Sequence, residues 1–302
     1  MKKATLFALT SVLLWSTLAP AVSYCMREMS MLMMLCVSLA ITTVIFLIAA
    51  FKTGALKHTA AYTPKRMLGL AALGMLGIFG YMCLYNTGIG ILGAQDACVI
   101  NYLWPMLTTI FAVIILKEKL RVSHIVVLVM AFVGTGIITL KTGGFQSGNF
   151  IGVIVTAAGA VCYALFSVLN KRYAENELLD MIVYYSVSTI ASAAACGLTG
   201  GFTPVHDPGT WIAVTWIGVS SVAYLFWAKA LSEGNAADVA VLAYLTPVLS
   251  MIWSILFLGE DFDLHSVLGM ILIVAGCAYQ GITDSRAQKA LEQDTAPKFK
   301  RE

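Results

Sequence analysis

The sequence predicts an all-α membrane protein: ten transmembrane helices, arranged as two inverted five-helix repeats. Three observations carry this reading. Of 302 residues, 59% are hydrophobic and only 12% charged, and mean hydropathy is +0.85, whereas soluble domains are about one quarter charged. The charges cluster, leaving ten long runs without Asp, Glu, Lys or Arg. Finally, a segment near residue 100 recurs further along at a fixed offset.

The charge-free runs are 4–26, 29–51, 67–95, 97–116, 122–140, 142–170, 181–205, 209–228, 239–259 and 264–283. Each suffices to cross the hydrocarbon core, which takes roughly 20 helical residues. The run 142–170 opens with a loop of Gly, Ser and Asn before its apolar part. Strand-like alternation is absent, so helices rather than a barrel are expected. The start, MKKATLFALTSVLLWSTLAPA, has the look of a secretory signal, with two lysines, an apolar stretch and small residues at Ala19 and Ala21. It is expected to stay as the first helix, because LLWST has a counterpart in VCYAL at 161–165, where Trp15 meets Tyr163.

Orientation follows from the bases. With the N-terminus inside, the inner segments and the tail hold 17 of the 19 Lys and Arg, and the outer ones only Arg27 and Lys141. Excess Lys and Arg in short loops marks the cytoplasmic side. Both termini are therefore expected in the cytoplasm, which requires an even number of spans. The net charge of +3 is a topology signal, and no nucleic acid is expected as a partner, because the bases form no aromatic-interleaved patch.

The repeat is clearest between AQDACVINYLWP (94–105) and AADVAVLAYLTP (236–247). At an offset of 142, Asp96 meets Asp238, Tyr102 meets Tyr244, Leu103 meets Leu245 and Pro105 meets Pro247. Glu118 then meets Glu260, and Gly134 meets Gly276. Five helices per repeat is an odd number, so the second repeat enters the membrane upside down. That is the plan of secondary transporters, with the path between the halves. The expected units are 4–140 and 149–283, followed by a cytoplasmic tail, 284–302.

Candidate site residues follow from polar and aromatic side chains placed in apolar runs. Pro105 and Pro247 sit mid-helix, where proline frees a carbonyl and kinks the chain. Asn101 and Thr108 share the face of Pro105, and Trp104 adjoins it. Asn101 corresponds to Ala243 and Trp104 to Thr246, so the site should be asymmetric. Trp15, Tyr81, Tyr85, Tyr163, Tyr224 and Trp227 add aromatic surface, suited to a small molecule with an apolar body and a polar end. Each aromatic could equally be core or a lipid-facing anchor. Asp96 and Asp238 read as helix N-terminal caps. No acid falls near the bilayer midplane. Lys229 can snorkel or meet a substrate carboxylate. Gly69, Gly74, Gly77, Gly80, Gly134, Gly269 and Gly276 read as close-packing positions.

Other classes find no support in the residues. There is no Walker sequence, HExxH or GxSxG motif, and His58, His124, His206 and His265 lack ligand spacing. No enzyme activity, metal or cofactor is expected. The seven cysteines read as small buried side chains. Cys25 and Cys196 are placed near the outer surface, with no pairing implied.

These residues carry a resemblance. Two inverted five-helix repeats, LLWST, and the segments 93–120 and 235–262 resemble the drug/metabolite transporter superfamily, and within it the EamA-domain exporters. Asn101, Tyr102, Leu103, Trp104 and Pro105, with LNKRYAE at 169–175, are similar to the bacterial aromatic amino acid exporters, with Ile100 where those typically carry valine. The resemblance implies a monomeric, multi-pass inner-membrane carrier exporting amino acids, including aromatic ones, by alternating access. Export of cationic or neutral drug-like metabolites is the alternative within the superfamily.

Overall fold

A computed structural model describes residues 2–92, 97, 100–139 and 150–253, and of the remainder 264, 267–269, 271–276, 279 and 283. The expectations for Asp96, Cys98, Lys141, Glu260, His265, Cys277 and the tail fall outside these residues. Among the described residues every regular element is helical. They are α1 (Lys2–Ser16), α2 (Leu18–Cys25), α3 (Met31–Thr53), α4 (Pro64–Gly74), α5 (Tyr81–Leu92), α6 (Leu103–Phe111) and α7 (Val122–Thr139). There follow α8 (Phe150–Tyr173), α9 (Glu177–Leu198), α10 (Pro208–Ser220), α11 (Ala223–Glu233), α12 (Ala236–Leu242) and α13 (Leu245–Trp253). A π-helical step, Met75–Gly80, joins α4 to α5, and another, Ala112–Leu116, extends α6.

Among the described residues five helices are long and apolar enough to cross a membrane: Met31–Thr53, Pro64–Leu92, Phe150–Tyr173, Glu177–Leu198 and Pro208–Glu233. Shorter apolar helices cover parts of the other expected spans, at Lys3–Ser16, Leu103–Leu116, Val122–Gly134, Ala236–Ser250 and Val267–Gly276. Large apolar side chains such as Phe51, Val122, Leu198 and Ile212 stand exposed on the outside of the bundle, where lipid would cover them.

The charge-free runs misplace two helix starts. Asp180 bounds the seventh run, yet it lies inside α9 and is fully buried, because its charge is paired. Likewise the third span opens at Pro64 rather than at 67. Thr63 caps it, accepting the Arg66 N–H, with proline in the first turn. α10 opens the same way, with Asp207 as cap and Pro208 after it. Proline suits this position, where its missing N–H costs no bond and its fixed φ is already helical.

Four expected spans are interrupted mid-length. The chain breaks at Thr17, Tyr102, 221–222 and 243–244. The prolines mark two of the breaks but do not sit on them. Pro105 and Pro247 each lie in the first turn of the helix that follows, three residues beyond the break. At Thr17 the hydroxyls of Ser16 and Thr17 donate to the carbonyls of Leu13 and Leu14, displacing regular helix bonds. Carbonyls around the breaks are taken up across the repeats. Tyr244 donates to the Tyr102 carbonyl at 2.9 Å, and Ser11 to that of Ala223 at 2.9 Å. Irregular backbone at this depth is tolerated only where its polar groups are met or line a cavity.

Most of the predicted packing glycines behave as expected. A Cβ on Gly74 would lie 2.7 Å from Tyr184 Cα, and one on Gly134 2.7 Å from the Gly269 carbonyl oxygen. Gly69 departs from this, since a Cβ there meets nothing within 4 Å, and Gly276 also has room for one, its nearest neighbours being 3.6 Å away.

Candidate functional site

The interrupted helices bring aromatic rings together at the centre of the bundle. Trp15 of α1 stands 6.0 Å from Trp104 of α6, edge to face, and 5.2 Å from both Tyr224 and Trp227 of α11. Tyr163 of α8 lies 4.9 Å from Trp104 and 4.8 Å from Tyr81 of α5. Tyr81 and Tyr85 stack at 6.0 Å with ring planes 6° apart. Edge-to-face and offset pairs at these distances are favourable beyond their burial. Both repeats contribute: Trp15, Tyr81, Tyr85 and Trp104 from the first, Tyr163, Tyr224 and Trp227 from the second.

The rings of this cage belong to the main buried cluster of the bundle, and polar atoms are set among them. The indole N–H groups of Trp15 and Trp227, the Tyr163 hydroxyl and the Asn101 Oδ1 are buried, with no hydrogen-bond partner among the described residues. The Asn101 amide nitrogen donates to the Tyr81 hydroxyl at 3.3 Å, so its oxygen is the free group. Thr246 and Ser220, beside two of the breaks, hold further buried unpartnered hydroxyls. Native structures satisfy nearly all such atoms, because each one left unpaired costs roughly 1–3 kcal/mol. Three donors and one carbonyl acceptor around one set of rings match a ligand with an anionic or acceptor group, a donor and an apolar body. The cage residues include no acid or base.

The predicted residues divide accordingly. Trp15, Tyr81, Tyr85, Asn101, Trp104, Tyr163 and Trp227 come together. Thr108 is on the expected helix, but its hydroxyl is committed to the Trp104 carbonyl at 2.8 Å. Pro105 is buried beside Trp104, in the first turn after the break at Tyr102, and Pro247 holds the equivalent place in α13. Tyr224 belongs to the cage as fully as Trp227, and its spacing of three residues on one helical face was the available signal. Phe166 packs on Tyr163 at 6.1 Å and backs the cage. Lys229 lies over the Phe7 ring at 5.8 Å instead of reaching the cage. Cys25 and Cys196 are both free and buried within one apolar cluster.

Both ends of the bundle carry polar links, of different character. At the end rich in bases, the Asp180 carboxylate accepts from Tyr62 at 2.7 Å and from Arg66 at 3.1 Å, while Arg66 also meets Glu175 at 2.6 Å. Burial first, and then the bond to Asp180, holds the Tyr62 phenol above its usual range. Lys171 meets Glu118 at 2.6 Å, and the second Glu118 oxygen accepts the Ala236 N–H at 2.8 Å. His124, which accepts the Arg121 N–H on Nδ1, presents Nε2 to Asp238 at 2.7 Å. Each of these side-chain links joins the first repeat to the second. At the other end Glu28 accepts the backbone N–H groups of His206 and Asp207 at 3.3 and 3.1 Å. The Tyr24 hydroxyl also bonds the Asp207 carboxylate, so among the described residues that end is joined through hydrogen bonds and the bases' end through ion pairs as well.

The family model for EamA-like transporters matches residues 2–140 and again 150–280, nearly the whole chain. This chain belongs to the EamA-like transporter family. Among curated relatives it is similar to the aromatic amino acid exporter YddG of Ancylobacter novellus, 28% identical over 285 residues, covering 91% of this chain and 96% of the relative. It is also similar to the uncharacterized inner membrane transporter YhbE of Escherichia coli, 26% identical over 309 residues, covering 92% and 90%. A solved crystal structure superposes with a TM-score of 0.83 at 26% identity, covering 95% of this chain and 99% of the other. As a transporter of this family the chain is expected to work on a small molecule in a lipid bilayer.

Proposed function

We propose that the chain is an inner-membrane secondary carrier that exports amino acids, aromatic ones included. Ten helices in two inverted units, 4–140 and 149–283, move against each other about the cage, with both termini in the cytoplasm and a monomer as the working unit. The observation that carries the substrate class is the set of unpartnered buried atoms within an uncharged aromatic cage. A zwitterionic amino acid supplies a carboxylate for the N–H and O–H groups, an ammonium for the Asn101 oxygen, and a side chain for the rings. The 28% identity to an aromatic amino acid exporter supports the same reading. In this arrangement the ion pairs at the bases' end close the cytoplasmic side.

The cage also presents ring faces that could hold a cation, but it lacks an acid to partner one, which disfavours drug-like cations as the cargo. Proteoliposomes loaded with labelled phenylalanine test the proposal. Saturable efflux, competed by tyrosine and tryptophan, is expected. Efflux competed only by a quaternary ammonium dye, or a conductance that never saturates, would overturn it.

A further inference from the structure

A second site lies away from the cage. Between the first turns of α4 and the last turns of α8 runs a groove of about 460 Å³, a size within the range of small-molecule sites. Its polar end is made by Thr63, Lys65 and Arg66, and its walls by Leu70, Leu73 and Leu169. Three features set it apart from an ordinary crevice. Lys65 is exposed and forms no ion pair among the described residues. Arg66 is fixed by Glu175, Asp180 and the Tyr62 ring 5.0 Å from its guanidinium carbon, yet its Nε–H is buried without a partner. Gly69 also lines the groove, and the space beside it is open. The glycine that failed to serve helix packing is the one that leaves this groove clear.

We propose that the groove binds an anionic phospholipid. The phosphate sits against the Lys65 ammonium and the groove-lining edge of Arg66, at the N-terminus of α4, where the helix dipole also favours an anion. The first acyl carbons lie past Gly69 along Leu70, Leu73 and Leu169. A soluble anion would not need those walls. A zwitterionic lipid would bring no net charge to answer Lys65. Neighbouring Leu68 is 73% exposed, so this face of α4 looks out to the bilayer. Basic pockets between membrane helices near the headgroup level are the usual form of such sites. The orientation proposed above enters only in assigning the lipid to the cytoplasmic leaflet. Because Arg66 also joins the repeats through Asp180, a bound lipid steadies the closed arrangement of that end.

Native mass spectrometry of the full chain in detergent, titrated with phosphatidylglycerol and with phosphatidylcholine, tests this without any transport step. The wild type should prefer phosphatidylglycerol. Lys65→Glu exchanges one charge for its opposite and should weaken that lipid roughly 25-fold, at about fivefold per charge. Gly69→Trp should abolish binding by filling the groove, with an unchanged melting temperature in lipid-free detergent. Lys57→Glu, at an exposed base outside the groove, should leave affinity as it was. Equal affinity in Lys65→Glu and Gly69→Trp would overturn the proposal. So would a loss in Lys57→Glu as large as in Lys65→Glu, which would mean a diffuse surface attraction, or displacement by inorganic phosphate at matching concentration, which would mean a soluble-anion site. Phenylalanine binding should be the same in wild type and Lys65→Glu, so that the lipid site and the cage fail separately.

Discussion

Asp180→Ala removes the acceptor for three groups at once. The Tyr62 hydroxyl, the Arg66 guanidinium and the Glu175 N–H all end on its carboxylate, at 2.7, 3.1 and 3.2 Å. Breaking a buried ion pair by deleting one partner costs about 3–5 kcal/mol. Arg66 keeps Glu175 at 2.6 Å and is 17% exposed, so solvent and the second acid recover part of that loss. The expected destabilisation is about 2–3 kcal/mol, since only one of the two carboxylates on Arg66 is lost. Arg66→Ala should cost less, because Asp180 retains Tyr62 and the Glu175 N–H. The double variant separates pairing from general damage. Reversible unfolding in mild detergent of the wild type, both single variants and the double should give a coupling of about 1.5–2 kcal/mol, within the range for residues of one ion-pair network. Additivity to within about 0.5 kcal/mol would refute the claim that these two side chains clasp the repeats together.

Tyr244→Phe should lower stability by about 0.5–1.5 kcal/mol, because it removes the hydrogen bond to the Tyr102 carbonyl at a buried helix break; an unchanged melting curve would mean that this bond does not hold the break. Asp207 caps α10 by accepting the N–H groups of Gly209 and Thr210. These bonds, that of Gly209 first, and then the Tyr24 hydroxyl hold its carboxyl below the usual 3.8. A lowered folded value means that the cap's contribution is complete above the unfolded value and is lost as pH falls through the folded one; a carbon NMR titration of Asp207 with a midpoint at or above 3.8 would contradict this.

Much of the architecture was legible because the bilayer imposes a simple rule on composition. Charge-free length located the five long apolar helices, and the recurrence of Asp, Tyr, Leu and Pro at one offset falls in the two stretches that the family model matches separately. The rule failed at Asp180, where a carboxylate enters a helix because Tyr62 and Arg66 meet it from the other repeat, a partnership no local pattern records. The prolines announced two of the four breaks. The breaks at Thr17 and 221–222 rest on serine and threonine hydroxyls competing for backbone carbonyls, a weak signal among many hydroxyls in apolar runs. For the cage, residue type was the guide, and it picked out large aromatics and a lone asparagine that the packed helices bring together. It could not tell a committed hydroxyl from a free one. Thr108 turned out to be bound to its own helix, while Thr246, the counterpart of Trp104 in the other repeat, is buried with its hydroxyl unpartnered among the described residues. That distinction depends on rotamers and neighbours, and these appear only once the helices are packed.

The unpartnered atoms of the cage are proposed to bind an amino acid. Calorimetric titration of purified wild type, Asn101→Ala and Trp15→Phe with phenylalanine tests this most directly. Asn101→Ala deletes the acceptor for the ammonium, and Trp15→Phe deletes one N–H while keeping a ring. Each removes a hydrogen bond to a charged group worth roughly 1.5–3 kcal/mol, so affinity should fall about ten- to a hundredfold in each, with normal elution and melting. Ala243 already holds the place equivalent to Asn101 in the other repeat, which makes a folding defect in that variant unexpected. Wild-type affinity in both well-folded variants would contradict the account and leave the cage as packing alone.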